Sequence, residues 1–257
     1  MFSKKDFQQF GKQEPVLFAS VTTRITGRKD DALLRTYGFG SFPSFAILDA
    51  SGTAITKSVG RDLYSMKSAV RAAKAWVEVQ AAEASGETID RNKAFLAKLA
   101  LGKLRLKQAK AELAGLSLTA EQAKAADESM LLLEMNSILA AARRDIDGSA
   151  QRVYEVFKSG RTLPEGSSAR DRAAFLLMRA ADKAGDGKAF QAGWKDAKPQ
   201  LEERVHTIEK AAADPKLNKR RRASLGPMLE RLKGEIAKND KRAAELAGKS
   251  PAQEPSK

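Results

Sequence analysis

Beyond Arg61 the apolar residues of this chain return every three or four positions, a period that commits most of its length to helix. Leu63, Met66, Val70, Ala73 and Val77 lay one apolar stripe along a helix expected over 61–82. Further helices are expected over 93–114, 119–143, 149–158, 169–183, 188–197, 201–213 and 224–246. Gly115, Gly148, Gly160, Pro164, Gly185-Asp186-Gly187 and Asp214-Pro215 mark the joints, because glycine supplies the backbone that ends a helix and proline cannot continue one. Thr119-Ala120-Glu121-Gln122 has the spacing of a capping box, and Pro227 is expected in the first turn of its helix, where a missing N–H costs little. Helices joined this closely pack antiparallel, which predicts an all-α bundle or stack of helical hairpins over 88–247. The polar stretch 248–257 is expected to be a disordered tail.

Residues 1–83 read differently and form the other expected domain, with the boundary at the 84–88 turn. A short β-branched run over 16–22, after Pro15, suits a buried strand. A helix is expected over 30–37, with Leu33 and Leu34 on one face and Gly38 as its stop. Phe45-Ala46-Ile47-Leu48 then makes a second strand, Asp49-Ala50-Ser51-Gly52 a turn, and 53–59 a third strand that completes a hairpin. The expected fold class is therefore α/β (α+β), an N-terminal sheet followed by helices.

Composition narrows the chemistry. The 257 residues include no cysteine and a single histidine, His206, which excludes disulfide frameworks, Cys/His zinc sites and thiol nucleophiles from the chain as written. No run approaches the ~20 apolar residues of a spanning helix, and Met1-Phe2-Ser3-Lys4-Lys5-Asp6-Phe7 has no leader-like apolar core. The chain as written reads as cytoplasmic; an upstream leader would place it in the periplasm or outside the cell. The net charge of +14 is spread along the sequence, so every part is mildly basic.

The order strand, helix, Tyr37-Gly38-Phe39-Gly40-Ser41-Phe42-Pro43-Ser44, strand, Asp49-Ala50-Ser51-Gly52, strand, Gly60, long helix resembles the second half of a thioredoxin-like domain. Tyr37, Gly38, Pro43, Gly52 and Gly60 fall where that family has a helix-ending tyrosine-glycine pair, a cis-proline, and the glycines of the hairpin and of its end. The resemblance implies that Pro43 is cis and that Phe42 with Pro43 forms a ledge holding an extended peptide by strand addition. The family's Cys-x-x-Cys and the strand before it are missing here, and Met1 falls inside the implied domain. Two expectations follow. In one, the sheet has closed around its gap and the redox-inactive domain works by binding. In the other, the chain is the C-terminal portion of a thiol-disulfide oxidoreductase whose Cys-x-x-Cys lies upstream of Met1. In the helical part, Ala180, Ala181, Ala184, Ala189, Ala192 and Gly193 beside Phe175, Phe190 and Trp194 resemble tetratricopeptide-type packing, without a strict ~34-residue period.

Lys216, Lys219, Arg220, Arg221 and Arg222 form the densest basic run and are the candidate contact for an anionic partner. No aromatic residue is interleaved with them, so bases have no stacking platform and a protein or peptide is the expected partner in place of nucleic acid. Asp182, Asp186 and Gly187 lack the spacing of a calcium loop, Gly38-x-Gly40 leads to Pro43 instead of a phosphate loop, and His206 has no second histidine. No catalytic residue, cofactor or metal is expected. Phe175, Phe190 and Trp194 are expected in the helical core.

Overall fold

The computed structural model of the chain describes residues 5–13, 33–40, 44–57 and 59–248. In chain order they form α1 (Lys5–Gln13), α2 (Leu33–Thr36), β1 (Ile47–Leu48), β2 (Ala54–Thr56), α3 (Leu63–Ser85), α4 (Arg91–Ala100) and α5 (Leu106–Leu113). There follow α6 (Ala120–Ala141), α7 (Ile146–Lys158), α8 (Ser168–Ala184), α9 (Gly187–Ala212) and α10 (Lys219–Ala247). The described residues are thus mostly helical, and their sheet is one antiparallel pair, Ile47 opposite Thr56 and Leu48 opposite Ala54. The helical part of the expected class stands. Of the expected N-terminal sheet the described residues contain only the hairpin, and the 16–22 segment and the 249–257 tail lie outside them. No helix among them is long and apolar enough to cross a membrane.

The chain divides into two compact units, Met1–Leu133 with Glu165–Ser168, and Glu134–Pro164 with Ala169–Lys257. In the first, α3 starts because the Asp62 carboxylate accepts the Ser65 N–H at 2.7 Å, and it ends at Gly86, whose φ of 73° a side chain would resist. One face of α3 buries Met66 against Phe7 and Phe10, with Phe45, Val59, Leu63 and Val70 around them. Further along, Ala72 and Ala73 meet Ile55, Ile47, Trp76 and Leu101. A third cluster joins Phe95 and Leu99 of α4 to Ala109 of α5 and to Ala126 and Met130 of α6.

Four sequence expectations are corrected. The single helix over 93–114 is two, because the chain turns at Gly102 (φ 66°) while Leu101, 2% exposed, is held in the core and the Thr56 hydroxyl donates to its carbonyl at 3.2 Å. The two helices over 188–213 are one: α9 runs through Pro199, since the apolar stripe continues from Phe190, Trp194 and Ala197 to Leu201 and Ile208, and this packing outweighs the lost N–H. Nearby, the Gln200 amide donates to the carbonyls of Asp196 (2.8 Å) and Asp171 (3.2 Å). Helix α10 begins at Lys219, ahead of Ser224, so Pro227 sits about two turns inside it. Gly148 does not stop a helix; its amide donates to the Asp145 carboxylate at 2.8 Å in the first turn of α7.

In the second unit small residues set the helix spacing. A Cβ placed on Gly193 of α9 would lie 2.9 Å from the Ala174 carbonyl and 2.8 Å from Met178 Cγ, both on α8. One placed on Gly187 would collide with the Leu246 carbonyl of α10. Ala173, Ala174, Ala180, Ala181, Ala189 and Ala197 are buried beside them. Gly193→Val should therefore destabilise the protein by about 1–3 kcal/mol through overpacking. Gly226→Ala, on α10 with nothing within 4 Å of the added carbon, should instead gain up to about 1 kcal/mol of helix propensity. Urea unfolding of the two variants checks the contrast, and equal shifts would contradict the close approach.

Candidate functional site

Among the described residues, three of the places where polar or charged side chains meet bear on the sequence expectations, and each lies within one compact unit.

The first is the turn region between α2 and α3. Helix α2 ends at Gly38 (φ 69°), where the amides of Tyr37 and Phe39 turn back to the carbonyls of Leu33 (2.9 Å) and Leu34 (2.7 Å). The Tyr37 hydroxyl then donates to the Gly52 carbonyl at 2.8 Å, tying the end of α2 to the hairpin turn. Inside that turn Asp49 Oδ1 accepts the Ser51 hydroxyl (2.6 Å) and the amides of Ser51 and Thr53 (2.9 Å each). The Ser51 hydroxyl, followed by the Thr53 amide, holds the Asp49 carboxyl below the usual carboxylate range. Gly60 is required by packing, since a Cβ there would come within 2.5 Å of Ser65. Phe42 and Pro43, the expected peptide ledge, lie outside the described residues.

The second place is the basic run. Lys216 lies in the α9–α10 turn, and Lys219, Arg220, Arg221 and Arg222 occupy the first turn of α10, whose start is capped by the Asn218 side chain accepting the Arg220 N–H at 2.8 Å. Arg222 Nη2 donates to the Asp214 carbonyl at 2.7 Å, and the Asp214 carboxylate accepts the Lys216 N–H at 2.9 Å. Lys216, Arg220, Arg221 and Arg222 are exposed. An open depression is lined by Asn218, Arg220, Arg221 and Ser224. Sequence reasoning found the cations but not Asn218 and Ser224, whose only signal was their type: an amide at a helix start and a hydroxyl one turn on.

The third is a set of polar ties between helices of the second unit. Asp240 of α10 accepts from Trp194 Nε1 (2.9 Å) and from Lys198 Nζ (2.8 and 3.0 Å), both on α9. Lys198 and then Trp194 keep the Asp240 carboxyl below its ordinary range, and Asp240 keeps the lysine protonated to higher pH. Asp186 caps α9 through the Ala189 amide (3.0 Å) and also accepts the Tyr154 hydroxyl of α7 at 2.8 Å. Burial pushes the Asp186 carboxyl up, but the Ala189 amide, Tyr154 and Lys158 together bring it below the ordinary value. Burial and the bond to Asp186 push the Tyr154 phenol up to about 12.

These ties account for residues with other chemical readings. Asp182 pairs with Arg242 (2.6 Å) while Asp186 caps a helix, so the two do not converge on a cation. His206 is exposed on α9. Among the described residues no three His, Asp or Glu side chains gather where a metal could be held. Phe190 and Trp194 are buried as expected of core residues, whereas Phe175 is 37% exposed.

Compared with known proteins, the chain matches no family model, no curated protein and no solved structure.

Two pH measurements check the electrostatics. The amide resonances of Ser51 and Thr53 should titrate with a midpoint below the ordinary aspartate value near 4, because their acceptor is lost only as pH falls through the depressed Asp49 pKa. A midpoint at or above that value would contradict the turn geometry. Tyr154→Phe should abolish a phenolate absorbance step near pH 12. Since the folded pKa is raised, the stability tied to this proton is complete below about pH 10 and declines as pH climbs toward the folded value, a decline the variant should lack.

Proposed function

We propose that the chain is a binding or scaffolding protein without dithiol chemistry, whose first 83 residues are the second half of a thioredoxin-like domain and whose partner is a protein or extended peptide. The observation that carries this reading is the bond from the Tyr37 hydroxyl to the Gly52 carbonyl, which closes the end of α2 onto the β1–β2 turn. Gly38 and Gly52 at positive φ and Gly60 against Ser65 support it further, because these are positions the resemblance singles out. Among the described residues no further strand pairs with either edge of the β1–β2 hairpin, and such edges carry backbone groups that suit strand addition by a peptide. With no cysteine in the chain, binding is the activity left to such a domain.

A second reading, favoured by the same features, makes the chain the C-terminal portion of a thiol-disulfide oxidoreductase. The intact mass of the protein from its native source, with and without alkylation after reduction, separates the two. A mass of 27.9 kDa with no alkyl group added is expected of the binding protein. A heavier protein taking up two alkyl groups would replace that reading with the oxidoreductase. For the 27.9 kDa protein, retention of unstructured apolar peptides on an array should drop in a Phe42→Asp variant whose circular dichroism is unchanged. Unchanged retention would overturn the ledge.

A further inference from the structure

We propose that Ser224, on the second turn of α10, is a phosphorylation site for an arginine-directed serine kinase, and that Arg220 and Arg221 hold the phosphoryl group it acquires. The inference does not rest on peptide binding by the N-terminal unit.

The sequence around this serine is the first ground. Arg220-Arg221-Arg222-Ala223-Ser224-Leu225 sets arginines four, three and two residues before a hydroxyl and an apolar residue after it. No other serine or threonine of the chain has even two arginines among the four residues before it. Serine kinases choose substrates by charge pattern, and one with carboxylates in its substrate groove selects arginines at these offsets while an apolar pocket takes the residue that follows. Such a groove repels acidic residues, and between Asp214 and Glu230 the chain has none. In the transfer, Ser224 Oγ bonds to the γ-phosphorus of a nucleoside triphosphate held by the kinase and the bond from that phosphorus to the bridging oxygen breaks. The nucleoside diphosphate leaves, and the hydroxyl proton passes to a base of the kinase.

The place of Ser224 in the fold is the second ground. Its side chain is exposed, and its hydroxyl donates to the Arg221 carbonyl at 2.7 Å, a bond within one helical turn that ends when the turn opens. A kinase takes its substrate extended, and the local sequence makes that opening easy. Pro227 has no N–H, so the Ala223 carbonyl receives no bond from four residues on, and proline disfavours helical backbone at Gly226, itself a poor helix former. From Glu209 to Arg231 no described side chain is buried, so opening residues 218–226 uncovers no core. The firmly packed part of the hairpin lies beyond, with Leu232 buried, Lys233 on Glu209 at 2.8 Å, and Asp240 on Trp194 and Lys198.

Once the turn re-forms, position 224 shares a helix face with 220 and 221, four and three residues back. The depression that Ser224 lines with Asn218, Arg220 and Arg221 then sets a phosphoryl group beside two guanidiniums and an amide. The group offsets about two of the five cations between 216 and 222 and tightens the start of α10, where negative charge is favoured.

The test incubates the folded full chain with ATP and the catalytic subunit of cyclic-AMP-dependent protein kinase, an arginine-directed enzyme, and reads the product by intact mass and peptide mapping. One phosphoryl group is expected, on the tryptic peptide 223–231, and none in Ser224→Ala. Arg221→Gln/Arg222→Gln, with unchanged circular dichroism, should lower kcat/KM by about tenfold or more. Incorporation into the heat-unfolded but not the folded chain, incorporation that survives Ser224→Ala, or equal rates with the arginine variant would each overturn the site. In the phosphorylated chain the phosphorus resonance should titrate with a midpoint below the ~6 of free phosphoserine, and Arg220→Gln should return it toward that value. An ordinary midpoint would overturn the hold by Arg220 and Arg221. Peptide 223–231 from protein isolated from its native source should carry the phosphoryl group, and a phosphoryl-free peptide would overturn the modification.

Discussion

Alanine and glycine let the helices of the second unit approach until backbone meets backbone, and the rest of that unit follows from this spacing. Where Gly193 faces Ala174 and Gly187 faces Leu246, little volume is left to fill, so the apolar core is thin and rich in alanine. Long cationic side chains then reach across neighbouring helices. Arg170 grips Asp196 with two parallel bonds of 2.7 and 2.9 Å, Arg242 takes Asp182, and Lys198 takes Asp240. These pairs are open to solvent, which screens them, so they fix orientation more than they add stability. The buried alanines and the larger Phe190, Trp194, Leu201 and Ile208 supply the driving force.

Asp186 shows how one side chain organises several elements. It caps α9, receives the Tyr154 hydroxyl from α7, and lies 3.8 Å from Lys158. Asp186 is engaged by the Ala189 amide and Tyr154 while Asp182 is engaged by Arg242, so the two carboxylates do not converge as a calcium loop requires. Asp240 is engaged in the same way by Trp194 and Lys198, so the conspicuous acidic groups of the unit are consumed in holding helices together.

Features written into a few adjacent residues were legible in the sequence. The Thr119–Gln122 box closes as expected, with bonds of 3.0 and 3.2 Å in the two directions, because both partners sit within one helical turn. The Asp49-Ala50-Ser51-Gly52 turn forms for the same reason. Features decided by residues far apart were not legible. Nothing near Leu101 announces that its carbonyl will meet Thr56, and nothing near Pro199 announces that packing on both sides will carry α9 through it. The partnership of Trp194 with Asp240 spans 46 positions, and no periodicity encodes it. The early start of α10 was hidden by its composition, since four cations at a helix N-terminus oppose the usual electrostatic preference.

The candidate sites divide along the same line. The basic run was visible as composition, but its meaning depends on which carboxylates are already taken, and that is a tertiary fact. Read by composition alone, cations without aromatic neighbours count against nucleic acid, because stacking is the usual way to hold unpaired bases. The structure engages Arg222 with the Asp214 carbonyl and sets Arg220 and Arg221 beside Asn218 and Ser224, partners that composition does not show. The lack of aromatics disfavours single strands, which must be held by their bases, and is neutral toward duplexes, which can be held by phosphates alone. A residue type that is missing therefore informs about a partner only after the geometry of the residues present is known.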